Sequence, residues 1–333
     1  MNGDTATQEK CEAAGTAKRA ASNGKSEEGL VCTLFEGEYH FGLAALINSL
    51  VRNGYHGSIA VGYRGALPPW LKQLKPLEDD GSYEVSSGVR IDFILLDTPV
   101  HFTHFKPQFM LQLIGERRGC KYIYYFDPDI VIACAWSFYA QWVRHGVALC
   151  EDVNALMPEN HPTRCEWREM VAPLGLRNPV PLRSYYNGGF IGLPTSCSGF
   201  LHRWQQIQRL ATSRGLDLRD FAKGHRTNPF NKGDQDALNI AAMYTEYPLT
   251  TLGQEGMGFG YGEIAMYHAI GAPKPWRKNM LVSAIQGMPP TGADKAFVAN
   301  LANPIRLYSS LGRARRRTEC RLGAALGRFY GRR

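Results

Sequence analysis

A short apolar run that ends in two aspartates constrains this chain more than any other feature. Residues 124–131 read Tyr-Tyr-Phe-Asp-Pro-Asp-Ile-Val, so Asp127 and Asp129 directly follow an aromatic stretch. Such a stretch predicts a buried strand, and the carboxyl ends of strands are where open α/β sheets bind ligands. Two carboxylates one residue apart also suit Mg²⁺ or Mn²⁺, which prefer hard oxygen ligands. The segment therefore predicts a metal site at a sheet edge.

A second segment carries complementary chemistry. Residues 268–276 read His-Ala-Ile-Gly-Ala-Pro-Lys-Pro-Trp, which places an imidazole, a glycine turn and an ammonium group within seven residues. His268 suits a third metal ligand, and neutral imidazole favours Mn²⁺ over Mg²⁺. Lys274 suits a cationic clamp on phosphate. We expect the two segments to meet around one cation and a diphosphate.

The chain between and around these segments alternates strands with helices. This order is typical of an α/β fold with a mostly parallel, doubly wound sheet. Strands are predicted at 30–35, 58–63, 91–96, 122–126 and 190–193, and helices at 41–50, 106–117, 201–214 and 235–244. Asp234 is predicted to cap the last of these helices.

Composition sets the domain boundaries. A chain of 333 residues that is 44% hydrophobic can bury one large core. Residues 1–28 have no aromatic or branched aliphatic residue and are predicted to be disordered. Residues 29–300 are predicted to form the α/β domain, and 301–333 a basic tail. Eight cysteines without a CxxC pair are typical of free thiols in a cytoplasmic protein.

The basic charge belongs to that tail. Arg306–Arg333 contains nine arginines and one acid, so it carries the whole formal charge of +8. Apolar residues are interleaved with the arginines, as in an amphipathic segment on an anionic membrane surface. A solvated, partly disordered tail is the alternative, and nucleic acid is the least favoured partner because no second basic patch accompanies the tail. With neither an apolar leader nor a membrane-spanning run, we expect a cytoplasmic protein, peripheral at most.

An Asp-x-Asp pair alone fits two enzyme classes. Phosphatases of the haloacid dehalogenase type open their sheet with an apolar strand and Asp-x-Asp-x-Val, which Asp127–Val131 matches. There Asp127 would be a nucleophile and Asp129 a general acid. In this chain, however, about three strands precede the motif, whereas those phosphatases begin their core with it.

The remaining motifs, taken in order, resemble nucleotide-sugar glycosyltransferases of the GT-A fold. The group most similar is family 8, which includes glycogenin and lipopolysaccharide galactosyltransferases. The resemblance covers roughly residues 31–278. It rests on these landmarks: Tyr39 after the first strand, Lys106, Asp127-Pro128-Asp129, Asn187-Gly188-Gly189, Asp234-Gln235-Asp236 and His268-x-x-Gly271-x-x-Lys274.

The resemblance implies a metal-dependent, retaining transfer of a hexose from a UDP-sugar. The metal, Mn²⁺ or Mg²⁺, would be held by Asp127, Asp129 and His268. The donor would contact these residues: Thr33, Leu34 and Tyr39 at the nucleobase, Lys106, Asn187 and Gly188 at the sugar or phosphate, and Gly271 and Lys274 at the diphosphate. Asp234 would bind sugar hydroxyls, and Gln235 would lie near the anomeric carbon.

Gln235 is not a carboxylate, so a double displacement lacks its nucleophile and a front-face substitution is favoured. The acceptor is predicted to be a glycan or a lipid-linked molecule, bound between segments 152–183 and 215–232. A catalytically inactive nucleotide-sugar-binding protein is the non-enzyme alternative.

Overall fold

A twisted central sheet organises the protein, whose computed structural model describes residues 29–77, 81–117, 119–220 and 230–330. The segment predicted to be disordered, 1–28, lies outside these residues. The described strands are β1 (Gly29–Glu36), β2 (Gly57–Arg64), β3 (Lys75–Pro76), β4 (Tyr83–Ser86), β5 (Val89–Leu95), β6 (Tyr122–Phe126), β7 (Ile130–Ile132), β8 (Val147–Leu156), β9 (Ser184–Tyr186), β10 (Phe190–Pro194), β11 (Leu249–Leu252) and β12 (Met266–His268).

Helices cover this sheet. The described helices are α1 (His40–Arg52), α2 (Phe102–Glu116), α3 (Trp136–Trp142), α4 (Pro162–Val171), α5 (Gly199–Ser213), α6 (Gly233–Met243), α7 (Met280–Ile285), α8 (Gly292–Ala299) and α9 (Ser310–Leu326). Within the described ranges, no helix is both long and apolar enough to cross a membrane.

The strand order of the large sheet is β11-β8-β10-β6-β1-β2-β5-β4-β3, with β9 paired to β8. Strands β6, β1, β2 and β5 at its centre run parallel. β10 is antiparallel to β6 and β8, so the sheet is mixed. The carboxyl ends of β1 and β6 therefore lie at the same edge, which is where ligands bind in open α/β sheets. The α/β fold class predicted from the sequence is confirmed.

Alternating side chains of β1 enter two apolar cores, one on each face of the sheet, because successive side chains of a strand point to opposite faces. Leu30 and Leu34 pack with residues of α2, α5 and α6, including Phe109. Val31 and Phe35 pack with residues of α1 and α3 on the opposite face. The sheet that presents the polar loops is thus held rigidly between two buried layers.

All four predicted helices begin earlier than expected, and two of these shifts involve predicted site residues. α2 begins at Phe102 rather than at Lys106, because His101 accepts a hydrogen bond from the backbone of Thr103 and caps the helix earlier. α6 begins at Gly233, so the predicted capping role of Asp234 is wrong. Asp234 lies inside the first turn, where its side chain faces Lys106 instead of the helix backbone.

The carboxyl-terminal segment contains a folded helix. α9 packs against α7 and α8, and its Cys320 is buried with Met280 and Phe297 in a third apolar cluster. Arg316, on the same inner face, donates hydrogen bonds to the backbone oxygens of Pro275 (3.1 Å) and Trp276 (2.6 Å). Residues 310–326 are therefore ordered against the rest of the protein, while the domain boundary at 300 stays a prediction.

Candidate active site

A small two-stranded sheet joins the two segments that the sequence singled out. β12 pairs antiparallel with β7, and the register sets His268 opposite Ile130. The backbone N–H of Ala269 also donates to the carbonyl of Asp129 at 3.1 Å. Because β7 follows the aspartate pair directly, this pairing carries the imidazole to the carboxylates across a long stretch of sequence.

The three predicted metal ligands lie together. Nε2 of His268 is 3.3 Å from Oδ1 of Asp129 and 3.8 Å from Oδ2 of Asp127, and one ligand atom from each residue falls within 4.8 Å of the others. An octahedral ion with ligands at about 2.1 Å would hold neighbouring ligand atoms about 3 Å apart and opposite ones about 4 Å apart. The donor set of two carboxylates and one imidazole thus fits Mn²⁺ or Mg²⁺ in both spacing and chemistry.

Gly189 makes room for the imidazole. A Cβ atom at this position would lie 2.4 Å from Cε1 of His268 and 2.9 Å from Oδ1 of Asn187. The backbone N–H of Gly189 donates to that same Oδ1 at 2.8 Å, and its carbonyl accepts from the backbone of Asp127 at 2.7 Å. The glycine is therefore required by close approach of the metal ligands rather than by turn geometry.

Lys274 is directed at the second aspartate. Its Nζ lies 2.5 Å from Oδ2 of Asp129 and 2.7 Å from the carbonyl of Ala269. Burial opposes ionisation of Asp129, but His268 and Lys274 outweigh it and lower the pKa of its carboxyl group. Burial likewise opposes the charge on Lys274, yet Asp129 raises the pKa of the ammonium group. Both groups are charged at neutral pH.

Lys106 holds the first aspartate. Although predicted at a helix start, it is buried in α2 and donates to the carbonyl of Gly188 at 2.8 Å. Its Nζ also lies 3.1 Å from Oδ1 of Asp127 and 3.4 Å from Oδ2 of Asp234. Burial raises the pKa of Asp127, against the attraction of Lys106. This ammonium group therefore ties α2, β6, the glycine turn and α6 together.

The start of α6 meets the glycine turn. Oε1 of Gln235 accepts from the backbone N–H of Gly188 at 3.0 Å. The carbonyl of Asp234 accepts from Nε1 of Trp204 at 3.1 Å. These contacts fix the side chain of Gln235 and the backbone of Asp234 at the cavity wall, next to Lys106.

Asp152 belongs to the same site, although the sequence predicted it only as the first residue of the acceptor-binding segment 152–183. It is buried near the carboxyl end of β8 and accepts hydrogen bonds from Nδ2 of Asn187 at 2.7 Å and of Asn154 at 2.6 Å. Lys232 lies 3.6 Å away. Burial opposes its ionisation, but the asparagine hydrogen bonds and Lys232 outweigh that effect and lower the pKa of Asp152. The available signal was an acidic pair, Glu151-Asp152, after an apolar strand.

A cavity of about 1160 Å³ connects these groups. It is lined by the predicted residues Leu34, Tyr39, Lys106, Asp127, Asp129, Asn187, Gly188, Asp234, Gln235, His268, Gly271 and Lys274, and also by Asp152 and Lys232. Thr33, which was predicted to contact a nucleobase, is fully buried in β1 and is not among the lining residues. Of the predicted acceptor loop, residues 221–229 lie outside the described residues.

The end of the cavity beside β1 is aromatic and charged. The ring of Tyr39 meets Trp276 edge-on at 5.3 Å and lies 5.9 Å from Nζ of Lys274. Glu36 accepts two hydrogen bonds from the guanidinium of Arg64, at 2.9 and 2.7 Å. This end therefore offers one aromatic face and one oriented carboxylate to a planar ligand.

Comparison with protein-family profiles gave no match, and neither did comparison with curated protein sequences. Among solved structures, the WbbM bifunctional glycosyltransferase in its apo form superposes with a TM-score of 0.53 at 16% identity. The match covers 87% of this chain and 52% of that protein, so the chain spans about half the length of WbbM. The chain shares its fold with this glycosyltransferase. The GT-A type of fold predicted from the sequence is confirmed, and the likeness to family 8 stays a prediction.

Proposed function

We propose that the protein is a metal-dependent glycosyltransferase that uses a UDP-sugar. One observation carries this proposal: Asp127, Asp129 and His268 lie where they could hold a metal ion beside Lys274, in the lining of a large cavity, and the chain shares its fold with a glycosyltransferase. A diphosphate needs a divalent cation and a further positive group. At the edge of the sheet where ligands bind, this site offers ligands for the cation and supplies Lys274 as the further positive group.

The diphosphate would lie between the ligand set and Lys274. The bound metal would neutralise phosphate charge and stabilise the leaving diphosphate. Lys274 supplies a second positive charge, and Asp129 and the Ala269 carbonyl hold its ammonium group in place beforehand. Charge that is already oriented toward a leaving group stabilises the transition state without reorganisation.

The sugar would occupy the polar part of the cavity. Lys106, Asp152 and Asp234 present fixed donors and acceptors there, which suit the hydroxyl groups of a hexose. Gln235 contributes an amide rather than a carboxylate, which supports front-face substitution with retention of configuration. The anomeric configuration of the first-formed product, measured by NMR, tests this: inversion would contradict it.

The nucleobase would lie at Tyr39 and Leu34, where an aromatic ring can stack on uracil. The carboxylate of Glu36 can accept a hydrogen bond from an N–H group of the base. At the opposite end, Asn154, Lys232 and the exposed Val153 line the cavity and suit a glycan or lipid-linked acceptor.

The decisive experiment is a donor screen with the full chain. Purified protein with Mn²⁺ is incubated with several UDP-sugars and GDP-sugars, and release of the nucleoside diphosphate is followed. We expect turnover of a UDP-sugar that EDTA abolishes and Mn²⁺ restores. Asp129→Asn should lose this activity. Asp92→Asn, which removes a carboxylate that pairs with Arg117 away from the cavity, should keep it.

The alternatives give different results in the same assay. Phosphate release from simple phosphomonoesters without a sugar nucleotide, lost in Asp127→Asn, would favour the Asp-x-Asp phosphatase. Binding of a nucleotide-sugar without turnover would favour the inactive binding protein. Absence of both binding and turnover for all donors would overturn the proposal.

A further inference from the structure

The outward face of α9 and the turn after it carries two parallel stripes of side chains. The basic stripe consists of Arg317, Arg321 and Arg328, all exposed. The apolar stripe consists of Leu311, Leu322 and Phe329, also exposed.

Helical geometry sets these stripes side by side. With about 100° of rotation per residue, positions separated by 4, 7 or 11 residues fall on nearly one line, which aligns Arg317 with Arg321 and Leu311 with Leu322 inside α9. Arg328 and Phe329 lie in the turn after the helix, where backbone hydrogen bonds to the carbonyls of Ala325 (3.1 Å) and Leu326 (3.0 Å) continue the winding of the chain. The small residues Ala314, Thr318 and Ala325 fall between the two stripes and are not large enough to separate them. The opposite, inner face carries Cys320 and Gly323, which are buried. The orientation of the helix is therefore fixed by packing, and both stripes must face away from the protein.

The large side chains of the apolar stripe are unusually exposed. Leu311 is 80% exposed and Phe329 is 86% exposed. Ile285, the last residue of α7, and Met288, in the turn that follows, are also largely exposed. Tyr330 ties them to this surface, because its hydroxyl donates to the carbonyl of Ala284 at 2.5 Å. Contiguous exposed apolar surface of this kind marks an interaction site.

The basic stripe is uncompensated. Among the residues that the structure describes, Arg317, Arg321 and Arg328 form no ion pair, whereas Arg315 at the edge of the face pairs with Glu319. A partner must therefore accept three guanidinium groups and bury a row of aliphatic and aromatic side chains beside them.

We propose that this face docks on the surface of an anionic lipid bilayer. Leu322 and Phe329 enter the acyl boundary while the arginines bind headgroup phosphates, as in other interfacial helices. Residues 1–28 lack the apolar side chains needed to cover the stripe. A second copy would bring two arginine rows together, and a nucleic acid would leave the apolar row in water.

The test is co-sedimentation of the full chain with vesicles. Vesicles of phosphatidylcholine alone are compared with vesicles that contain phosphatidylcholine and phosphatidylglycerol in equal amounts. We expect binding to the anionic vesicles only, weakened by salt. The triple variant Arg317→Gln, Arg321→Gln, Arg328→Gln should lower the partition coefficient on the order of 100-fold, since each basic residue contributes about fivefold. Leu322→Ser with Phe329→Ser should also lower it.

A control variant distinguishes binding through this particular face of α9 from binding through the net charge of the protein. Arg177→Gln, Arg209→Gln and Arg214→Gln remove the same charge from exposed positions outside α9 and should leave binding unchanged. Equal loss in both triple variants would overturn the proposal, as would failure to bind anionic vesicles. Binding to labelled RNA in place of vesicles, or concentration-dependent dimers lost in the serine variants, would identify another occupant and overturn it too. None of these readouts depends on donor turnover.

Discussion

The contact between Gly189 and His268 predicts that one methyl group at position 189 disturbs the metal site. In Gly189→Ala, the new Cβ would lie 2.4 Å from Cε1 and 2.8 Å from Nδ1 of His268, about 1 Å inside an ordinary contact of 3.4 Å. Gly189 does not have a left-handed backbone conformation, so alanine fits the local backbone. The effect must therefore come from displacement of neighbouring side chains, above all the imidazole of His268 and, to a lesser extent, Asn187.

The size of the effect follows from this distance. Metal–ligand distances tolerate about 0.2 Å, so a shift of about 1 Å takes His268 out of bonding range. Disturbing even an outer-shell partner costs about 10- to 100-fold in metal affinity, and we expect at least that loss here, or about 1.4 to 2.8 kcal/mol. Overpacking should also lower the free energy of unfolding by about 1 to 3 kcal/mol.

The assay is a calorimetric titration with Mn²⁺ in the presence of UDP, on protein shown to be folded by circular dichroism. Gly188→Ala is the matched control. Its Cβ would meet Asp234 at 3.3 Å, and His268 is not among its three nearest atoms. It should therefore bind Mn²⁺ nearly as the unmodified protein does. Unchanged Mn²⁺ affinity in Gly189→Ala, or equal losses in both variants, would refute the assignment of His268 as a ligand positioned by this glycine.

Three further substitutions test the surrounding structure. Gly42→Ala would place a Cβ 2.3 Å from the carbonyl of Pro128, so we expect a loss of about 1 to 3 kcal/mol in unfolding free energy, measured with urea. Arg316→Gln removes the hydrogen bonds that support the loop bearing Lys274, so the KM for the donor should rise more than kcat falls. Asp152→Asn should destabilise the protein at pH 7. The pKa of Asp152 is lower in the folded than in the unfolded protein, so its ionised carboxylate stabilises the fold. This contribution to the free energy of unfolding is fully present above the unfolded-state pKa of about 4 and is lost as the pH falls below that pKa.

Each of these has its own control. Gly115→Ala, at a helical position with nothing near its Cβ, should not destabilise and contrasts with Gly42→Ala. Arg317→Gln, on the outer face of the same helix, should leave the KM for the donor unchanged. For Asp152→Asn, urea unfolding over a pH series should show the stability difference shrinking in acid, and a constant difference would contradict the ionic explanation.

The candidate metal ligands could be predicted from the sequence because their chemistry is local. An apolar strand that ends in Asp127 and Asp129 needs no tertiary information to be recognised, and β6 has the predicted bounds, Tyr122–Phe126. The segment from His268 to Lys274 is equally compact. The central strands were found for the same reason, since buried parallel strands are continuous apolar runs.

The other features of the site depend on tertiary contacts that no local sequence pattern encodes. The position of His268 relative to Asp129 is set by the register of β12 on β7. The environment of Lys106 is created by four separate elements, so a lysine that was predicted at a helix start proved to be buried. Asp152 was predicted only as the start of an acceptor-binding segment, because a pair of acids at a strand is common, and only the approach of Asn187 gives this carboxylate its place in the site.

The pairing of acids with lysines around the site has a consequence for how it fills. Asp127, Asp129 and Asp234 face Lys106 and Lys274 at salt-bridge distance. This cluster carries a single excess negative charge, too little to balance a dication alone. With a dication bound, the cluster would carry one net positive charge, which attracts a negatively charged nucleoside diphosphate, so each should tighten the other's binding by the same factor. The proposed cation and nucleotide should therefore bind cooperatively, each weakly in the absence of the other.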